Sequence, residues 1–238
     1  MGKSFFIWNN MDSRNMGITL AGPVAIVKPE ERVKHVEIPG RAGDLTQLEG
    51  ENIYNSYIQT ASIQVRGGYR VREISKWLRG SGYVTFSGEP DKRQAARVIG
   101  AVTLQKHSHN MDVWEGEAQF YCQPLKELLT DSPVVLTVEG RDEVQNNGDV
   151  IAKPLWKVTA SGSSMSLQVR TDILTVTGVT SGNVYYIDSD AEEVYNSDRT
   201  QLLTGNSTGR FPVIKPGNNT PLWTNISKIE CDRRERYL

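Results

Sequence analysis

The chain has 238 residues, 38% of them apolar and 23% charged, with a net charge of −1. This is the composition of a soluble globular protein with room for one large or two modest cored domains. It excludes a long apolar membrane span and an overall basic field for holding nucleic acid, and its two distant cysteines, Cys122 and Cys231, exclude a disulfide framework.

Met1 to Trp8 is apolar only briefly and turns polar at Asn9-Asn10. It lacks the apolar run and small-residue cleavage site of a secretory signal, so the expectation is a protein that stays in the cytoplasm where it is made. Ser4 to Asn9 reads as a strand, and Ile18 to Gly22 as a short one ending at Pro23. Arg32 to Ile38 alternates in the manner of a half-buried strand. Ile38-Pro39-Gly40-Arg41-Ala42-Gly43-Asp44-Leu45-Thr46 then joins it to a second extended run from Ile53 to Val65. Pro39 ends a strand because it fixes φ and has no N–H, and Gly40 and Gly43 accept the positive φ of a tight turn. Arg41 and Asp44 are three apart, close enough for one ion pair inside the loop.

Tyr57 to Val65 alternates again, with Ala61, Ile63 and Val65 on one face. From Val71 to Arg79 the period changes: Val71, Ile74, Trp77 and Leu78 share a helical face and Gly80 supplies the stop. Tyr83 to Phe86, Ala96 to Leu104 and Trp114 to Cys122 read as strands, the last closed by Pro124. The first half is therefore β-rich with one amphipathic helix, and Leu125 to Pro133 is the boundary. Beyond it, pairs of strands flank Asn146-Asn147-Gly148, Ser161-Gly162 and Thr180-Ser181-Gly182-Asn183. Met165, Leu167 and Val169 share a face, as do Ile173 or Leu174 with Val176, and Val184 to Asp188 runs into a turn. Short strands with frequent turn signals indicate an all-β sandwich. The domains are thus 1–130 and 131–238.

Few residues carry chemistry. His107 and His109 would share a strand face as metal ligands do, but no third ligand is near, so a solvated turn is the better reading. His35 is a lone strand histidine. Asp188, Asp190, Glu192 and Glu193 gather around a turn, which favours a solvated hairpin end over a cation site or a hydrolase pair. Arg66, Arg70, Arg72, Lys76 and Arg79, with Tyr69 and Trp77 among them, could face nucleic acid; the simpler account gives Trp77 to the core and the charges to solvent. Three glycosylation sequons, at Asn206, Asn218 and Asn225, are incidental without a secretory signal. No nucleophile elbow, phosphate loop or His-Glu-x-x-His motif occurs. The expectation is a protein that is not an enzyme, with no catalytic residues, no cofactor and no metal.

Taken in order, several pieces form a pattern. They are Phe5-Phe6-Ile7; Gly17-Ile18; Ile38-Pro39-Gly40-Arg41-Ala42-Gly43-Asp44-Leu45; Trp77-Leu78-Arg79-Gly80; Phe86-Ser87-Gly88-Glu89-Pro90-Asp91; and Phe120-Tyr121-Cys122-Gln123-Pro124. This set resembles the distal tail protein family of long-tailed, non-contractile bacteriophages. Past the boundary, Asn147-Gly148, Lys153-Pro154-Leu155, Tyr186-Ile187-Asp188, Phe211-Pro212 and Lys215-Pro216-Gly217-Asn218-Asn219 look like that family's galectin-like carboxyl domain. The polar Thr220 after Asn219 departs from the family pattern.

The resemblance implies a mainly β protein, with an amino-terminal sandwich or barrel-like ring domain followed by a galectin-like sandwich. It implies a structural virion component, a homo-hexameric hub at the tail tip that is assembled in the host bacterial cytoplasm. The ring would meet the tail tube protein and the tail-tip or tail-associated lysin protein, with a receptor-binding protein as a further partner. DNA would pass through the lumen unread, and no membrane is involved. In such a ring Arg41 and Asp44 are candidates for an intersubunit contact, the alternative being their own ion pair. The competing function is a carbohydrate-binding module for host attachment; the galectin-type His-x-Asn-x-Arg strand is missing, and core packing is the better home for Trp156 and Trp223.

Overall fold

The computed structural model describes residues 4–238; Met1, Gly2 and Lys3 lie outside them. Two compact units emerge, one running to Leu129 and including Leu238, the other Thr130–Tyr237. In the first, the strands are β1 (Phe6–Trp8), β2 (Met11–Asp12), β3 (Ile18–Leu20), β4 (Val33–Val36), β5 (Leu45–Leu48) and β6 (Tyr57–Arg66). Helix α1 (Tyr69–Trp77) follows, then β7 (Ser81–Phe86), β8 (Lys92–Ile99), β9 (Leu104–Ser108) and β10 (Met111–Leu128). A large antiparallel sheet runs β2-β1-β7-β8-β10-β6-β3, with β9 also on β10.

The core of this unit follows from alternation. Ala61, Ile63 and Val65 point inward from β6, and Ala118, Phe120 and Cys122 from β10. The helix closes over that face with Ile74 and Leu78 buried. Gly68, before the helix, donates its N–H to Asp112 at 3.1 Å. Lys76 in the last turn complements the helix dipole. Phe120 is the hub of an aromatic cluster, with ring centroids 5.3 Å from Phe6, 5.5 Å from Trp8 and 5.8 Å from Phe86. Trp77 stacks on Phe6 at 5.7 Å. Below them Tyr57 donates to Gln94 at 3.0 Å, and burial pushes its hydroxyl up to about 12.

Three strand expectations need correcting. The run from Ala96 to Leu104 is two strands, because Gly100 at φ +70° turns the chain after Ile99. Strand β10 does not stop at Pro124: it continues to Leu128, and the proline lies where the pairing with β8 slips between Cys122 and Lys126. A bulge is where a strand tolerates the missing N–H. Residues 32–38 do not form a half-buried strand before a second run at Ile53. Strand β4 is exposed nearly throughout and pairs with the unforeseen β5.

Gly116 marks a close backbone approach in the sheet, since a Cβ there would lie 2.1 Å from the Thr103 carbonyl oxygen. Gly116→Ala is expected to push β9 off β10 and to cost about 1–3 kcal/mol, the usual range for overpacking. Calorimetry of the first unit's unfolding transition would show it; an unchanged midpoint would mean that the sheet relaxes freely.

The second unit contains β11 (Val134–Leu136), β12 (Val144–Asn146), β13 (Leu155–Ala160), β14 (Ser164–Val169), β15 (Asp172–Thr177) and β16 (Val184–Asp188). After these come β17 (Glu193–Asn196), β18 (Ser207–Gly209), β19 (Gly217–Asn219), β20 (Pro221–Thr224), β21 (Ile226–Asp232) and β22 (Arg236–Tyr237). One sheet runs β11-β21-β13-β16-β17, a second β18-β15-β14-β20, and β12 pairs with β19. Both sheets feed one core containing Trp156, Val158, Met165, Leu167, Leu174 and Ile187. Met165, Leu167 and Val169 share the buried face as expected, and Leu174 rather than Ile173 joins Val176 there.

Strands do flank the turn signals, as expected, but they are not paired with each other. Strands β13 and β14 flank Ser161-Gly162 but lie in different sheets, as do β15 and β16 around Thr180–Asn183. These turns carry the chain across the sandwich. Strand β12, before Asn147-Gly148, pairs not with a sequence neighbour but with β19.

Buried asparagines tie that last pairing down. The Asn219 amide donates to the carbonyls of Lys215 at 2.8 Å and Gly217 at 2.9 Å. Its oxygen accepts from Arg170 Nε at 3.0 Å and from the Lys215 N–H at 3.1 Å. Asn146 does the same on the partner strand, donating to Val150 and Ile214 and accepting from Gly148.

Candidate subunit interface

Strands β4 and β5 form a two-stranded hairpin in the register Val33 with Leu48, Lys34 with Gln47, His35 with Thr46 and Val36 with Leu45. Each packs chiefly against the other, and both faces are left to solvent. Leu48 is 58% exposed and Leu45 44%. A two-stranded ribbon without a covered face is marginal by itself. Its root is better held: the Arg32 N–H donates to Ile53 at 2.8 Å and the Asn55 N–H to Glu30 at 2.8 Å. Arg32 Nε also donates to Asn55 at 3.2 Å and lies 3.9 Å from Glu49.

The loop from Glu37 to Asp44 caps the hairpin. Gly40 and Gly43 adopt φ of +81° and +80°, the conformation that an L side chain resists. The Arg41 N–H donates to the Ile38 carbonyl at 3.1 Å. Glu37, Ile38, Pro39, Arg41, Gly43 and Asp44 line an open hollow of about 350 Å³. Among the described residues no ion pair joins Arg41 to Asp44, so both exposed charges face outward from a backbone-defined tip.

The other sites read from the sequence fall into place without chemistry. His107 Nδ1 lies 2.9 Å from Glu115, whose other oxygen accepts from Gln64 at 2.7 Å. The His107 contact, then Gln64, holds the Glu115 carboxyl below its ordinary range. His109 does not join them; its carbonyl accepts from Lys106. Among the described residues, no group of three His, Cys, Asp or Glu side chains is placed to hold a metal ion. Asp188 is engaged by Arg234 at 2.8 and 3.0 Å. Burial pulls its carboxyl upward, but Arg234 and the Ala191 and Asp190 N–H groups together hold it low.

Both cysteines are free and buried, and burial pushes the Cys122 thiol up to about 12. Trp156 and Trp223 sit in the sandwich core. Asn218 and Asn225, two of the sequon asparagines, donate to Glu143 at 2.7 Å and to the Ser164 carbonyl at 2.9 Å. No described helix is long and apolar enough to cross a membrane.

No protein-family model matches the chain, and no curated protein does. Among solved structures it is similar to the crystal structure of the Dit protein (gp 19.1) of phage SPP1, a paradigm of the hub adsorption apparatus in phages infecting Gram-positive bacteria. The superposition has a TM-score of 0.80 and covers 100% of both chains at 17% identity. The resemblance read from ordered short motifs is thereby met in three dimensions: the chain has, along its whole length, the fold of the SPP1 Dit protein.

Proposed function

We propose that this protein is a structural component of a phage tail hub. The observation that carries the proposal is the full-length likeness to the SPP1 Dit fold. A hub requires surfaces rather than a reaction. The protein is a non-enzymatic virion component that associates with other tail proteins.

In finer detail, residues 1–130 build a homo-hexameric ring, and residues 131–238 form a galectin-like sandwich that projects from it. The ring joins the tail tube protein to the tail-tip or tail-associated lysin protein, and carries a receptor-binding protein in phages that attach one there. DNA passes through its lumen without being read. Assembly takes place in the host cytoplasm, and the finished ring sits at the tail tip.

Arg41 and Asp44 mark the candidate intersubunit contact. The bare hairpin tip supports this reading, because a guanidinium on a rigid turn suits two-pronged contact with a carboxylate or carbonyl. Light scattering of the full chain across a concentration series tests the ring, and a species that stays monomeric throughout would defeat it. Arg41→Ala is expected to leave the melting temperature within about 1 °C, since among the described residues the exposed side chain has no hydrogen bond or ion pair to lose. It should move the mass distribution toward monomer at a given concentration, because a loss at one interface repeats around a closed ring. Full mass on dilution with lowered thermal stability would make the loop a purely internal feature.

A further inference from the structure

The helix α1 presents an unpartnered cationic face. Val71, Ile74, Trp77 and Leu78 turn toward the core, so Arg72 and Lys76 lie on the opposite side one turn apart, with Arg79 just beyond the helix end. All three are exposed, and among the described residues none has a carboxylate within ion-pair distance. Glu73 is the helix's one acid. Cations left unpaired on a rigid element are a docking surface waiting for negative charge.

The same unit supplies that charge elsewhere. Glu30, Glu31 and Glu51 are exposed residues flanking the root of the β4–β5 hairpin, where Arg32 is held by Glu49, and among the described residues none of the three has an ion-pair partner. The root is fixed by the pairing of Glu31 with Tyr54 and by the backbone bonds of Glu30 and Arg32, so the carboxylates are held on ordered backbone. Among the described residues no ion pair connects hairpin and helix. The two patches are opposite in sign and equal in number, and among the described residues neither is paired within the chain.

We propose that the acidic root of the hairpin of one copy docks on the α1 face of Arg72, Lys76 and Arg79 in a second copy of this chain. The contact is heterologous, so it propagates head to tail and closes where the rotation permits, which is the symmetry of a ring. It gives the ribbon the cover that it lacks. The inference rests on the hub-ring reading and names the two surfaces that meet.

A charge exchange on the full chain tests it. One variant carries Arg72→Glu, Lys76→Glu and Arg79→Glu; the other carries Glu30→Lys, Glu31→Lys and Glu51→Lys. Circular dichroism and melting curves close to wild type are expected for both, since every changed side chain is exposed and unpaired. In sedimentation velocity, each alone should need about tenfold or more protein than wild type to assemble. Mixed in equal amounts they should regain wild-type mass, because each then offers the sign the other requires. Rising salt should dissociate the wild type.

If wild type assembles and both variants assemble equally well, this inference is overturned and the ring reading stands. If wild type is monomeric at every concentration, both fall. If the helix variant assembles normally but loses affinity for a short duplex DNA, the cationic face serves nucleic acid and the inference is likewise overturned.

Discussion

Phe120→Ala is expected to lower the stability of the amino-terminal unit by about 3–5 kcal/mol, the range for truncating a fully buried aromatic. Phe120 touches three other rings, and none of them can follow it into the gap. Phe6 and Trp8 are fixed on β1, which is hydrogen-bonded to both β2 and β7, and Phe86 ends β7. The cavity therefore persists, and the edge-to-face contacts are lost with the area. For a unit of this size the unfolding midpoint should fall by roughly 10 °C or more. Differential scanning calorimetry would check it, with the second unit's transition as an internal reference. A fall of only a degree or two would mean that the helix settles inward over the gap.

Asn219→Leu is expected to damage the second unit as severely, for the opposite reason. The volume is nearly kept, but the carbonyls of Lys215 and Gly217, the Lys215 N–H and Arg170 all lose their partner in a partly buried setting. Each lost bond costs about 0.5–1.5 kcal/mol, and together they should let the turn before β19 come apart and release β12 with it. Amide hydrogen exchange would show it as lost protection at Val144, Asn146 and Asn219. Retained protection there would mean that water replaces the amide.

What could be read from the chain beforehand depended on burial. Tyr57 to Val65, Met165 to Val169 and the helix face each bury one side, and burial writes a period into the sequence. Strand β5 buries neither side, so Leu45-Thr46-Gln47-Leu48 carries no such period and went unseen. The half-burial expected of residues 32–38 came from alternation alone; the structure gives that alternation no core to face. Pro124 misled because a proline ends a strand unless a bulge absorbs it, and a bulge is decided by the partner strand.

Pairing in the sandwich was illegible for a related reason. A turn signal states that the chain reverses, not whether it returns to the same sheet. The tip of the candidate interface, Pro39-Gly40-Arg41-Ala42-Gly43-Asp44, was visible as a motif. Whether Arg41 and Asp44 met was a matter of side-chain reach, which spacing does not fix. The role of Asn219 was hidden too, since its partners Lys215 and Gly217 are joined by Arg170 and by the Val144 carbonyl from two distant segments. The helix cations were visible, but that they lacked partners was not.

The central place of β21 governs how the second unit can form. Strand β21 lies between β11 and β13, and so joins residues that are about ninety positions apart in one direction and seventy in the other. Until 226–232 have left the ribosome, β11 has no neighbour and β13 exposes one edge. The early strands must therefore wait as open, pairing-competent edges for most of synthesis, and closure is a late, long-range event of the kind that makes β topologies slow and prone to misassociation.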